Sequence, residues 1–221
     1  MCGRFALLSP GLDIADQFGV TLAFDVAPRY NIAPTQPVLA IRNHPHTQAR
    51  EATFFRWGLV PSWAKDLSFG ARLINARGET VAEKASFRAA FKRRRCLIPA
   101  TGFYEWQRVG SGKQPIYIHS ANGRPFGLAG LWETWHDAEG GEIDTCTIIT
   151  TTPNALMEPI HNRMPVILDP ADYSMWLEPG ERPNDSLHLI RPYPAAKMNT
   201  YPVSPFVNSP RNESAQCIQP V

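Results

Sequence analysis

The chain has 221 residues, 43% of them hydrophobic and 19% charged, which excludes a wholly disordered segment and supplies enough apolar material for one large core. A formal net charge of +2 is too small to name a nucleic-acid partner, because only local clustering of charge carries that information. The 21 prolines point to many turns and short elements rather than long helices.

In chain order, the start MCGRFALLSP lacks the basic segment and long apolar run of a secretory signal. No apolar stretch approaches the ~18 residues of a transmembrane helix. A first helix is expected over 11–19. PVLAIR (37–42) and ATFFRW (52–57) then read as strands. A second helix is expected over 81–93, where Val81, Ala85, Phe87, Ala90 and Phe91 form a partial apolar stripe. RCLIP (95–99), FYEWQRV (103–109), PIYIH (115–119), FGLAGLW (126–132) and DTCTIITT (144–151) read as further strands. Gly110-Ser111-Gly112 joins two of them as a hairpin, and Asn122-Gly123 looks like a second hairpin turn. A third helix is expected over 170–177, with Asp169 as N-cap ahead of Pro170. The stretch from 180 to 215, rich in Pro, Asn and Ser, reads as a tail wrapping the surface.

Strands outnumber helices and follow one another directly. This predicts an α+β fold, one domain over 1–221, built on a strongly curved, mostly antiparallel, barrel-like sheet with a few short helices.

The cysteines are Cys2, Cys96, Cys146 and Cys217. No C-x-x-C pair occurs, so no zinc site is expected, and four free thiols suit a reducing, cytoplasmic compartment. No cofactor is expected either. Cys2 stands out because loss of Met1 would make it the N-terminus. It would then carry an α-amine of pKa about 7.7–8.0 beside a thiol of pKa about 8.5. An aldehyde condenses with such an amine to an imine, and the thiol closes a five-membered thiazolidine on the same carbon. Closure is intramolecular and gains the advantage of held reactants. Cys2 alone fits a buried N-terminal strand better.

Two groups of proteins begin Met-Cys-Gly. Class II glutamine amidotransferases acylate the cysteine, but they need downstream Asn-Gly and Gly-Asp pairs for an oxyanion hole. Here the only Asn-Gly is Asn122-Gly123, and there is no Gly-Asp. The second group fits far better. MCGRF (1–5), RYNIAP (29–34), WGLVPSWAKD (57–66), LINARGETV (73–81), RRCLIPATGFYEW (94–106), TIITT (147–151) and IHNRMPVIL (160–168) resemble, in order, blocks of the SOS-response-associated peptidase (SRAP) family of abasic-site processing proteins. The departures are Gly78, expected to loosen the Asn75–Arg77 segment slightly, Thr101 and Pro153.

The resemblance implies a protein that bonds covalently to abasic sites in single-stranded DNA through Cys2, acting as a monomer and associated with the nucleoid when bound. It also implies removal of Met1, the source of the name peptidase, and lyase-like strand cleavage if an imine goes untrapped. Abasic deoxyribose is mostly a closed hemiacetal, so opening it needs proton transfer. Glu105 and His161 are the candidates. Strand alternation puts Phe103 and Glu105 on one face, and Tyr104 and Trp106 on the other. Apolar neighbours would raise the Glu105 carboxyl toward neutrality. Asn75 has an amide suited to the sugar oxygen or the amine. Each of these three also has a plain structural reading, as an ion-paired, loop or turn residue.

Arg4, Arg77 and Arg163 lie within two residues of these groups and suit phosphate contacts, unless ion pairs with Glu79 or Glu105 hold them. An extended start would put Arg4 and Cys2 on one face. Trp63 and Phe87 are candidate stacking platforms, whereas Trp57 reads better as core. The run Lys92-Arg93-Arg94-Arg95 fits a phosphate track and a solvated helix end equally. The remaining alternatives are an N-terminal-nucleophile amidohydrolase and a non-catalytic single-strand-binding module.

Overall fold

A computed structural model describes residues 2–178 and 184–221. Its strands are β1 (Phe5–Leu7), β2 (Arg29–Ile32), β3 (Pro37–Asn43), β4 (Arg50–Trp57), β5 (Asn75–Arg77), β6 (Arg95–Ala100), β7 (Gly102–Val109), β8 (Gly112–Ser120), β9 (Phe126–His136), β10 (Glu142–Thr151), β11 (Met164–Pro165), β12 (Ile167–Leu168) and β13 (Met198–Pro202). The helices are α1 (Gly11–Phe18), α2 (Arg88–Arg93), α3 (Tyr173–Leu177) and α4 (Asn184–Leu187), with short 3₁₀ turns between.

Five strands close on themselves. β9 pairs antiparallel with β10 and β6, β6 with β3, and β3 with β4, while β10 pairs parallel with β4. The result is the curved, mostly antiparallel barrel expected from the pattern of extended segments. A second sheet runs β13-β8-β7-β1-β2. The main core fills the barrel and the space beneath this sheet, and Tyr104 and Tyr117 begin a smaller core on the sheet's other side. Alternation along β7 works as expected: Phe103 enters the main core while Tyr104 and Trp106 face the smaller one.

The Gly110-Ser111 hairpin between β7 and β8 forms, with Val109 opposite Gly112 and Gly110 at φ 58°. Asn122-Gly123 turns the chain, but it is not a hairpin, because β8 and β9 belong to different sheets. Only 88–93 of the expected 81–93 helix is α-helical. Val81 and Phe87 are both buried, and six residues along a helix would put them on different faces. Turns over 80–87 bring them to the same core. Pro170 opens the third helical region as expected, but the Asp169 side chain does not cap it and instead takes Lys197 at 2.7 Å. The tail does more than wrap. β13 extends the second sheet, and Val203, Val207 and Cys217 complete the smaller core.

The basic run divides. Arg95 turns inward and donates to the carbonyls of Phe91, Lys92, Trp176 and Glu178, satisfying the open ends of α2 and α3. Lys92 and Arg93 stay exposed. No described helix is long and apolar enough to cross a membrane.

Candidate functional site

Four separate segments bring the expected chemical groups together. β1 inserts between β2 and β7, with Phe5 opposite Phe103 and the Tyr104 N–H donating to the Arg4 carbonyl at 3.0 Å. This carries Cys2 in beside β7, which bears Glu105. β5 lies parallel to β10, with Asn75 opposite Ile148. There the Asn75 Nδ2 donates to the Cys2 carbonyl at 2.8 Å. β10 runs out into the turn that carries His161 and returns as β11, pairing Pro165 with Thr150. His161 Nε2 faces Glu105 Oε2 at 3.9 Å. Gln107, two residues beyond Glu105, donates to the Pro159 carbonyl at 3.0 Å and ties β7 to the same turn.

Burial sets the proton affinities. Cys2 is 0% exposed, and its thiol is pushed far above its usual range, first by burial and then by the charge of Glu105. Burial pushes the Glu105 carboxyl up to about 7, against the opposing positive charge of the chain's amino terminus. Burial is also the first cause lowering His161, which favours its neutral imidazole. The cluster therefore combines a protonated thiol, a carboxyl poised near neutrality and a neutral imidazole. A carboxyl near neutrality facing an imidazole can pass a proton; among the described residues no three His, Cys, Asp or Glu side chains group as a metal site.

The arginines separate. Arg163 forms a two-pronged pair with Glu79 and donates to the Thr150 carbonyl at 2.7 Å. Arg77 is exposed at the end of β5 and makes no hydrogen bond or ion pair among the described residues. Arg4 turns away from the Cys2 thiol. Its Nη1 donates to Asn31 Oδ1 at 2.7 Å and to the Val207 carbonyl at 2.9 Å, and it lies over the Trp106 ring. The shared face expected for Arg4 and Cys2 does not form, because residues 2–4 precede β1 and do not alternate as a strand.

Trp63 is 57% exposed and meets Phe69 edge-on. Phe87, expected as a stacking platform, is 4% exposed in the main core, so its ring has no open face. Trp57 is fully buried and donates to the Ile74 carbonyl at 2.8 Å. Sequence reasoning gave Glu79 no role beyond a structural partner and passed over Gln107. The nearest signal was their position inside or beside the NARGET and GFYEW blocks.

The pattern of the SOS response associated peptidase (SRAP) family matches residues 1–210, and the chain belongs to that family. It is 46% identical over 224 residues to the abasic site processing protein YoqW of Bacillus subtilis, covering 99% of both chains. It is 36% identical to the abasic site processing protein HMCES of Gallus gallus, over 88% of this chain and 66% of that one. A crystal structure of a protein from Bacteroides thetaiotaomicron superposes with a TM-score of 0.87 at 27% identity, covering all of both chains.

Proposed function

We propose that this protein captures abasic sites in single-stranded DNA as a covalent thiazolidine on Cys2, once Met1 has been removed. Membership of a family whose named relatives are abasic site processing proteins supports DNA as the partner. The observation that carries the chemistry is the buried Glu105 carboxyl, held near neutrality beside Cys2 and facing His161.

The steps balance as follows. Glu105 and His161 move the protons that open the hemiacetal to the aldehyde. The Cys2 amine adds to that carbon and water leaves, giving an imine. The thiol then adds across the C=N bond, its proton ending on nitrogen and the C–S bond closing the ring. Aldehyde and aminothiol thus become thiazolidine and water, with no oxidant or reductant. The protonated thiol needs a base at the moment of attack, and ionised Glu105 is the nearest. Asn75 holds the Cys2 carbonyl and thereby the direction of the amine. Trapping matters because an untrapped imine promotes β-elimination and strand breakage. One chain carries all four groups, so a monomer suffices.

The test is intact mass before and after addition of an abasic single strand. Mature protein should lack Met1, and the adduct should equal the sum of the components less one water. Crosslinking protein that retains Met1 would defeat the mechanism. A module that only binds single strands would leave no adduct on a denaturing gel.

A further inference from the structure

The turn that carries His161 is secured from a residue outside the four reacting groups. Arg163 extends its guanidinium to Glu79, with Nη1 on Oε1 and Nη2 on Oε2 at 2.9 Å. The same Nη2 donates to the Thr150 carbonyl on β10 at 2.7 Å. The backbone N–H of Arg163 donates to His161 Nδ1 at 3.0 Å. The Arg163 carbonyl also lies 3.3 Å from Nδ1, but the N–H contact is the shorter; it needs a lone pair on Nδ1, which assigns the proton of the neutral ring to Nε2. Nε2 is the atom that faces Glu105. Glu79 also follows Asn75 by four residues, across the three-residue β5 and a single 3₁₀ turn, Gly78–Thr80. One ion pair therefore joins the segments bearing Asn75 and His161 and pins both against β10.

We infer that Glu79 is a positioning residue for the crosslinking reaction: acting through Arg163, it holds the His161 ring with Nε2–H directed at Glu105. This inference rests on the part proposed for His161 above. Paired carboxylate–guanidinium contacts are short and directional, so they fix geometry as well as charge. The Arg163 side chain is 15% exposed while Glu79 is 48% exposed. The pair is thus anchored on the inner side and reachable for substitution on the outer side. Arg163 could serve a DNA phosphate fully only by releasing Glu79, and the turn would then lose its clamp.

Glu79→Gln keeps the shape of the side chain and removes its charge. Nitrogen NMR of DNA-free, histidine-labelled protein should show His161 in the Nε2–H form in wild type and in a mixture of tautomers in Glu79→Gln. With saturating abasic single strand, the rate of adduct formation should fall roughly 10–100-fold, the scale of a small misplacement of a reacting group. The half-saturating DNA concentration should not rise, so the loss lies in the rate and not in binding. Arg163→Lys keeps the charge but loses the planar fork, so it should slow the reaction in the same way. A wild-type tautomer and wild-type rate in Glu79→Gln would overturn the inference. So would tighter, more salt-sensitive DNA binding at an unchanged rate, which would make Glu79 a competitor of phosphate. If wild-type protein forms no adduct at all, the functional reading fails, and the tautomer measurement still decides whether Glu79 holds the ring.

Discussion

Cys2 would be a poor nucleophile if left to itself, because burial keeps its thiol protonated throughout the physiological range. On the mechanism proposed above, Glu105 supplies its reactivity. Cys2→Ala keeps an amine and loses the trap, and Cys2→Ser closes a ring poorly. Both should lose the stable adduct on denaturing gels, while borohydride still captures an imine. Glu105→Gln should slow adduct formation ~10²–10⁴-fold. A carboxyl at about 7 that must be ionised to accept the thiol proton gives a rate that rises with pH through that value. His161 is shifted below its usual 6.5 and the attacking α-amine titrates at about 7.7–8.0, so Glu105→Gln should remove the step near 7 and leave the later rise that belongs to the amine. Stability runs the other way. The folded state holds the Glu105 proton more tightly than the unfolded state, whose carboxyl titrates near 4.5. Stability is therefore lost as pH rises from 4.5 to about 7, by up to about 3 kcal/mol for a shift of this size. Denaturant titrations should show this loss in wild type and a flatter profile in Glu105→Gln.

Short elements carry much of the site, and they are the ones least visible in sequence. The long strands β3, β4, and β6 to β10 show apolar runs or alternation over six residues or more. β1, β5, β11 and β12 span two or three residues, too few for any period to register. Asn75 and the approach to Cys2 depend on β5 and β1, so the groups were readable as motifs while their meeting was not. The tail hid β13 because its strand register comes from pairing with β8, not from its own pattern. Gly78 illustrates the same gap. Sequence reading has it loosening the segment after Asn75, but it is a point of close packing. A Cβ there would sit 2.2 Å from Ile190 Cγ2 and 3.2 Å from the Thr150 carbonyl. Gly78→Ala should therefore destabilise by about 1–3 kcal/mol, the usual cost of overpacking. Thermal unfolding measures this directly, and an unchanged midpoint would show that Ile190 yields freely. Thr101, another departure from the family pattern, has a clear use: its hydroxyl accepts from the Leu8 N–H at 2.7 Å, fastening the chain between β1 and α1.

At the scale of the whole molecule, net charge says little, and the placement of single arginines says more. Arg77 is exposed without a hydrogen-bonding or ion-pairing partner among the described residues, and Arg4 is held by neutral groups only. Arg163, by contrast, is neutralised by Glu79. A phosphate approaching the site gains most from charges that are not already compensated. Noncovalent affinity for single strands should fall with salt, and each phosphate contact contributes about −0.7 to the log–log slope. Arg77→Ala and Arg4→Ala should each flatten that slope by about one contact, and Arg163→Ala by clearly less. The measurement is fluorescence anisotropy of an undamaged oligonucleotide across a salt series, which keeps the covalent step out of the result. Equal effects from all three arginines would mean that Arg163 releases Glu79 to reach DNA. The recessed position of the reacting groups adds a preference for strand type. Cys2 is 0% exposed and Glu105 2%, so an abasic sugar must swing out from the line of its neighbours to reach them. A duplex must distort its backbone and flanking pairs to extrude the sugar, whereas a single strand need not. An abasic single strand should accordingly crosslink faster than the same lesion in a continuous duplex. Equal rates in the two would place the reacting carbon at the surface, against the burial of both groups.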